Sequence, residues 1–274
     1  VKSPWKIGIL VDCLKLGLIE GVRKAADLGA DGFQMFVTHG EVFPDNFPPQ
    51  KRREFKKMSD DLGLEISALC ADFDWIRGFT DPEFNKVNIP RIKKCVDLAV
   101  DLDTRVVTMH IGRLPDDKAH PIYQEALRTA TLLAEYAAPR RVTLCTETGP
   151  EAPARLLEFL RQAPDKGLGV NYDPANLVMC GPFDHIGGVG LLKDYIRHTH
   201  AKDGVCLGPG DWRELPLGEG GVVFPYYLAA LKAADYAGYL TIEREAGQDR
   251  VEDISRAVEF LRRQTQTELP SLKA

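Results

Sequence analysis

Eight short β-rich runs, each followed by a stretch of helical periodicity, restrict what this chain can fold into more than any other feature. The runs are Lys6–Val11, Gly32–Val37, Leu64–Leu69, Arg105–His110, Arg141–Glu147, Leu168–Asp173, Ile196–His200 and Tyr239–Glu243. Between them, Leu18–Leu28, Pro49–Leu62, Ile89–Leu102, Pro121–Ala137, Ala152–Gln162, Phe224–Ala234 and Val251–Arg262 repeat apolar residues at three- and four-residue spacing. Gly29, Gly63 and Gly238 each fall between a helical stretch and the next strand, where a left-handed helix end is wanted. Strict alternation implies parallel strands joined by crossovers. Eight such units without a long linker close most economically into an α/β protein of the (β/α)8 TIM-barrel type, expected as one domain over 1–274. A doubly wound open sheet is the structural alternative, but its GxGxxG turn after the first strand is absent.

The bulk properties narrow the function classes. A formal net charge of -5 offers no broad positive field for a phosphate backbone, so nucleic acid is not expected as a partner. No run of about 18 apolar residues exists, and Val1–Leu10 is too short an apolar segment for a signal peptide, so no membrane contact and a cytoplasmic location are expected. The six cysteines, Cys13, Cys70, Cys95, Cys145, Cys180 and Cys206, are widely spaced without a CxxC pair and read as free thiols. A sulfur-based zinc site does not fit that spacing.

In a barrel, ligand-binding side chains come from the C-terminal ends of the strands. Strand four ends at His110, five at Glu147, six at Asp173, seven at His198 and His200, and eight at Glu243 and Glu245. Side chains two apart share a strand face, so His198, His200 and Lys202 point one way, as do Glu243 and Glu245. If that face is inward, Glu147, Asp173, His200 and Glu243 meet in one pocket. Their convergence is costly unless a divalent cation compensates it. Three carboxylates and one imidazole suit Mn²⁺ first, with Mg²⁺, Co²⁺ or Zn²⁺ as alternatives. Each residue also has a bland reading: Glu147 as a helix N-terminal carboxylate, Asp173 as a turn cap before Pro174, His110 as a satisfied core histidine, Glu245 as a surface partner of Arg244 or Arg250. Their occurrence on successive strands is what points to a metal.

The segments Leu144-Cys145-Thr146-Glu147-Thr148, Asn171-Tyr172-Asp173-Pro174-Ala175-Asn176, His198-Thr199-His200-Ala201-Lys202-Asp203 and Leu240-Thr241-Ile242-Glu243-Arg244-Glu245 carry a resemblance. They resemble the metal-binding strand ends of the xylose isomerase-like TIM-barrel superfamily, the sugar phosphate isomerase/epimerase group, in the branch containing D-tagatose 3-epimerase. That resemblance implies one metal ion held by Glu147, Asp173, His200 and Glu243, and a glycine-rich turn at Pro216–Gly221. It departs at Asn176, where the family often has a histidine; an amide can hydrogen-bond a substrate hydroxyl but is not a typical metal ligand.

What the resemblance implies chemically is an isomerase that moves a proton beside a carbonyl of a small sugar or sugar-like substrate through an enediolate. Glu147 and Glu243 are the expected acid/base pair, working on opposite faces. His110, Asn176, His198, Lys202 and Arg213 are the expected substrate-binding residues. The stretch Asp203–Gly221 reads equally as a lid or as a solvent loop. The rivals are a metal-dependent hydro-lyase of the same superfamily, a repair nuclease similar to endonuclease IV, and a non-catalytic sugar binder. Barrels of this kind often form homo-oligomers, but no decisive apolar patch stands out in the sequence.

Overall fold

The computed structural model describes residues 3–164, 166–181 and 183–272, so both ends of the expected 1–274 unit, Val1 and Ala274, lie outside the described residues. The chain runs β1 (Lys6–Leu10), α1 (Leu18–Asp27), β2 (Gly32–Phe36), α2 (Pro49–Asp61), β3 (Glu65–Cys70), α3 (Pro82–Asp101), β4 (Val106–Met109) and α4 (Pro121–Ala137). It continues through β5 (Thr143–Glu147), α5 (Pro153–Leu160), β6 (Leu168–Tyr172), α6 (Pro174–Cys180), α7 (Gly187–Leu192), β7 (Ile196–Ala201), β8 (Asp203–Gly208) and β9 (Asp211–Leu215). The last elements are α8 (Phe224–Ala233), β10 (Tyr239–Ile242) and α9 (Arg250–Gln264). Eight parallel strands close in the order β1-β10-β7-β6-β5-β4-β3-β2, and β8 and β9 form a separate antiparallel pair. This is the TIM barrel expected, with every strand within two residues of its expected bounds.

Four differences have physical reasons. Helix α3 begins at Pro82, not Ile89: the Asp81 carboxylate accepts the Glu83 and Phe84 N–H groups and Pro82 fills the first helical position, whereas Pro90 is carried inside the helix. The short helices α6 and α7 were not expected, since neither is long enough to show a helical period. Gly29 and Gly63 take the left-handed conformation (φ 77° and 72°), but after α8 that place is taken by Asp235 at φ 54° and not by Gly238. A Cβ at Gly238 would meet the Tyr236 ring, with its hydroxyl 2.5 Å away, so close packing explains that glycine. Finally, Asp203–Gly221 contains the β8–β9 hairpin and is neither a plain solvent loop nor an open strap.

Apolar side chains fill the space between sheet and helices: Phe33, Leu69, Val107, Leu144, Leu240 and Leu261 are fully buried there. The barrel interior is polar by contrast, with Gln34, Ser67, Thr108, Asn171, His198 and Thr241 all buried. A register shift between β6 and β7 matters to the site, because Val170 pairs with Ile196 while Asn171 pairs with His198. The irregularity leaves the exposed Arg197 unpaired and brings His198 level with Asn171 inside the barrel.

Candidate active site

Glu147, Asp173, His200 and Glu243 come from β5, the turn after β6, β7 and the end of β10, four neighbouring positions around the barrel. One ligand atom from each lies within 4.8 Å of all the others, and all four residues are buried. His200 Nδ1 stands 3.1 Å from Glu243 Oε2, 3.4 Å from Glu147 Oε2 and 3.7 Å from Asp173 Oδ2. The arc puts Glu147 at one end and Glu243 at the other.

The surroundings of each group fix its orientation. His200 Nε2 lies 2.8 Å from Gln34 Oε1, and Gln34 donates in turn to Thr108 Oγ1 at 2.8 Å. With Nε2–H donating to the amide oxygen, Nδ1 is the nitrogen turned to the cluster; burial opposes a charge on the ring, but the Glu243 and Glu147 carboxylates outweigh it and hold the imidazole protonated well above its usual range, so an ion entering there would displace the Nδ1 proton. Asn171 and Asn176 donate amide hydrogens to Glu147 Oε2 (3.0 Å) and Oε1 (2.7 Å). Asp173 is bracketed through its backbone, because its N–H donates to Thr148 Oγ1 and its carbonyl accepts from the same hydroxyl, both at 2.8 Å.

Asp173 has two duties. Its Oδ1 accepts the N–H groups of Ala175 (2.8 Å) and Asn176 (3.0 Å), capping α6. Its Oδ2 is buried, faces the cluster and has no hydrogen-bond partner. Burial pushes this carboxyl up from its ordinary value. An orphaned carboxylate oxygen beside two further carboxylates and an imidazole nitrogen is what a hard divalent cation fits. The turn cap and the metal ligand are therefore compatible readings of one residue.

The opposite end is charged. Lys202 Nζ donates to Glu243 Oε2 at 2.9 Å and to Glu245 Oε2 at 2.8 Å. Burial opposes the ammonium charge, but Glu243, Asp173 and Glu245 outweigh it and hold Lys202 protonated well above its usual range. Burial likewise works against the Glu243 carboxylate, and His200 and Lys202 more than reverse this, lowering it below the usual carboxylate range. Glu245 pairs with Lys202, not with Arg244 or Arg250 as its surface reading supposed. Arg244 is itself buried and joined to Glu214 on β9 at 2.8 Å and to Asp253 at 2.9 Å.

His110 stands at the barrel mouth after β4, with Nδ1 2.5 Å from Asp72 Oδ2 and the exposed Trp75 edge-on at 6.4 Å between ring centroids. Burial disfavours its charge, yet the Glu147 and Asp72 carboxylates prevail and push the imidazole up to about 9. His198 is a correction to the expected substrate contacts. Its Nδ1 lies 2.9 Å from Asn171 Oδ1 and its Nε2 2.9 Å from Thr241 Oγ1, so both nitrogens are engaged inside the barrel. It supports the cluster from beneath. Asn176 spends its amide on Glu147, and Arg213 lies exposed on β9, paired in register with Val205. Five supporting residues were not singled out from sequence: Gln34, Asp72, Asn171, Glu214 and Thr148. Gln34 and Asn171 carried a signal, as polar residues inside otherwise apolar strands.

A closed parallel barrel with a buried carboxylate–imidazole cluster at its C-terminal mouth defines a recognisable class. The chain matches the Xylose isomerase-like TIM barrel family over residues 22–264 and belongs to it. It is 24% identical over 276 residues to the uncharacterized protein MJ1311 of Methanocaldococcus jannaschii, covering 95% of this chain and 92% of that one. Among solved structures it is similar to a xylose isomerase domain protein from Planctomyces limnophilus, at 28% identity and TM-score 0.84 over 96% of this chain and 98% of that one. It shares its fold with a D-tagatose 3-epimerase-like protein (22% identity, TM-score 0.76, 95% and 98% covered). The same holds for the probable 3-DHS dehydratase AsbF involved in petrobactin synthesis from Bacillus anthracis (19% identity, TM-score 0.76, 94% and 98% covered).

Proposed function

We propose that this chain is a divalent-metal-dependent isomerase of a small sugar or sugar-like substrate, with ketose 3-epimerisation as the favoured reaction and Mn²⁺ as the favoured ion. One observation carries the reading: Asp173 Oδ2 is orphaned in a cluster whose two ends are carboxylates, Glu147 and Glu243. Glu147, Asp173, His200 and Glu243 would hold the ion, which would supply Lewis-acid polarisation of a substrate carbonyl. The remaining work falls to side chains. Glu147 and Glu243 approach the substrate from the two ends of the arc; one takes the proton from the carbon beside the carbonyl and the other returns it on the opposite face, inverting that centre. Asn171 and Asn176 keep the Glu147 carboxylate in place through both of its oxygens. Lys202 does the same for Glu243 through one oxygen.

The mouth supplies substrate contacts in this reading. His110, oriented by Asp72, donates to a substrate oxygen, and Arg213 contacts the part of the substrate nearest the hairpin. The same His110–Asp72 pair favours a second reading, a hydro-lyase, because a protonated imidazole at the mouth can deliver a proton to a departing hydroxyl. A nuclease of the endonuclease IV kind is disfavoured, since the Asn176 amide is committed to Glu147. Among the described residues no helix is long and apolar enough to cross a membrane. Six free cysteines accord with a cytoplasmic setting.

The test is to strip the protein with a chelator, restore Mn²⁺, Mg²⁺, Co²⁺ or Zn²⁺ singly, and follow solvent deuterium entering a panel of ketoses and aldoses by NMR. Metal-dependent exchange beside the carbonyl, with recovery of the epimer, is the expected result. A dehydrated product would move the assignment to the hydro-lyase, and neither exchange nor a dehydrated product with any ion would sink both.

A further inference from the structure

The β8–β9 hairpin inserted between β7 and α8 is fixed at its base. Asp203, at the start of β8, accepts backbone N–H groups from Gly204, Gly218, Gly220 and Val222 at 2.9 to 3.0 Å, tying both ends of the hairpin to one carboxylate. Gly204 lies across from Glu214 in the hairpin register, and a Cβ there would meet Met179 Sδ of α6 at 2.5 Å. The hairpin base therefore lies directly against α6, the helix that Asp173 caps.

Glu214 is the buried residue of β9, and its contacts all run to the chain around Glu243. Its Oε1 accepts from Arg244 Nη1 at 2.8 Å and from the backbone N–H groups of Glu245 and Ala246 at 3.0 and 3.1 Å. Its Oε2 lies 3.9 Å from Lys202 Nζ, the ammonium that holds Glu243 at 2.9 Å. A carboxylate kept only to satisfy Arg244 would not need to grip the backbone after Glu243 and face Lys202 as well.

We propose that Glu214 is a positioning residue of the metal cluster: through Lys202, the Arg244 side chain and the main chain of residues 245–246 it sets where the Glu243 carboxylate stands, making the hairpin a fixed wall of the site. This rests on the reading of Glu147, Asp173, His200 and Glu243 as ion ligands. Glu214 touches neither ion nor substrate. It acts at one remove, as groups that orient metal ligands do.

The experiment is calorimetric titration of Mn²⁺ into the chelator-stripped full chain and into E214Q, K202M, the E214Q/K202M double variant and D211N, the last an exposed hairpin position. The expected result is a Kd about tenfold weaker for E214Q, a loss in the double variant smaller than the sum of the two single losses, and a wild-type Kd for D211N. A merely structural carboxylate would lower the melting temperature and leave the Mn²⁺ Kd unmoved. Should E214Q not accumulate as folded protein, E214D, which keeps the charge but withdraws one methylene of reach, takes its place with the same expectation. Wild-type uptake of Mn²⁺ with an unaltered E214Q, or losses that simply add in the double variant, overturns this inference alone. A wild-type chain that takes up no divalent ion overturns the proposed function, and this inference with it.

Discussion

Glu147 and Glu243 occupy equivalent places at the two ends of one arc, yet their surroundings are of opposite kinds. Glu147 is held by two neutral amides, Asn171 and Asn176, and its neighbour Asp173 by a threonine hydroxyl and backbone N–H groups. Glu243 is held by an ammonium within a set of charges that includes the buried Lys202, Glu214 and Arg244 and the half-buried Asp253. Hydrogen bonds from neutral amides to a carboxylate contribute about 1.5–3 kcal/mol each and are lost piecemeal. Buried ions are different: removing one partner strands the other in a medium that solvates it poorly. The pair teaches that two carboxylates proposed for the same chemical role need not share the same kind of support.

The comparison can be broken in stages. Replacing either end carboxylate, by E147Q or E243Q, is expected to reduce turnover by roughly 10²–10⁴-fold, measured as deuterium exchange in the metal-restored protein. Near-full activity in either variant would remove that residue from the acid/base pair. The supports should then separate. K202M is expected to lower unfolding free energy by about 3–5 kcal/mol, and N176A by about 1.5–3 kcal/mol, both read from urea denaturation. Equal costs would erase the distinction between the two flanks.

A third effect depends on pH. His110 is raised from 6.5 to about 9, so its protonation stabilises the folded chain; the contribution is complete below about 6.5 and is lost as pH rises through about 9. The metal-stripped chain should accordingly melt lower at pH 9.5 than at pH 6.5, by an amount reflecting about 3 kcal/mol, and D72N should shrink that difference. An identical pH response in D72N would show that Asp72 does not sustain the charge. The smallest effect is expected at the hairpin surface, where R213A should alter stability by under about 0.5 kcal/mol while raising KM, because its side chain is exposed. An unchanged KM would remove Arg213 from the substrate contacts.

The barrel was legible because each strand is short, apolar on its outer face and followed by a helix of clear period. The four cluster residues were legible because an ionisable side chain at a strand end is conspicuous when it recurs on four neighbours. Their supports were hidden for different reasons. Glu214 belongs to a hairpin whose glycines read as a loop, and its partners Lys202 and Arg244 are remote in sequence. Asp72 reaches His110 from another strand end, across 38 residues, a pairing no local pattern announces. His198 shows the reverse error: alternation correctly turned it inward, but inward at that depth means enclosed, with both nitrogens already bonded. Strand periodicity gives direction without depth.

Because Asp173 divides its two oxygens between the head of α6 and the cluster, a single side-chain torsion serves both. Drawing Oδ2 toward a cation would tighten or loosen the grip of Oδ1 on the amides of Ala175 and Asn176. Those two amides should report occupancy of the cluster through their rates of hydrogen exchange, and Asn176 would pass the change on to Glu147 through its own side-chain amide. The first turn of a seven-residue helix would thereby be a gauge of whether the cluster holds an ion.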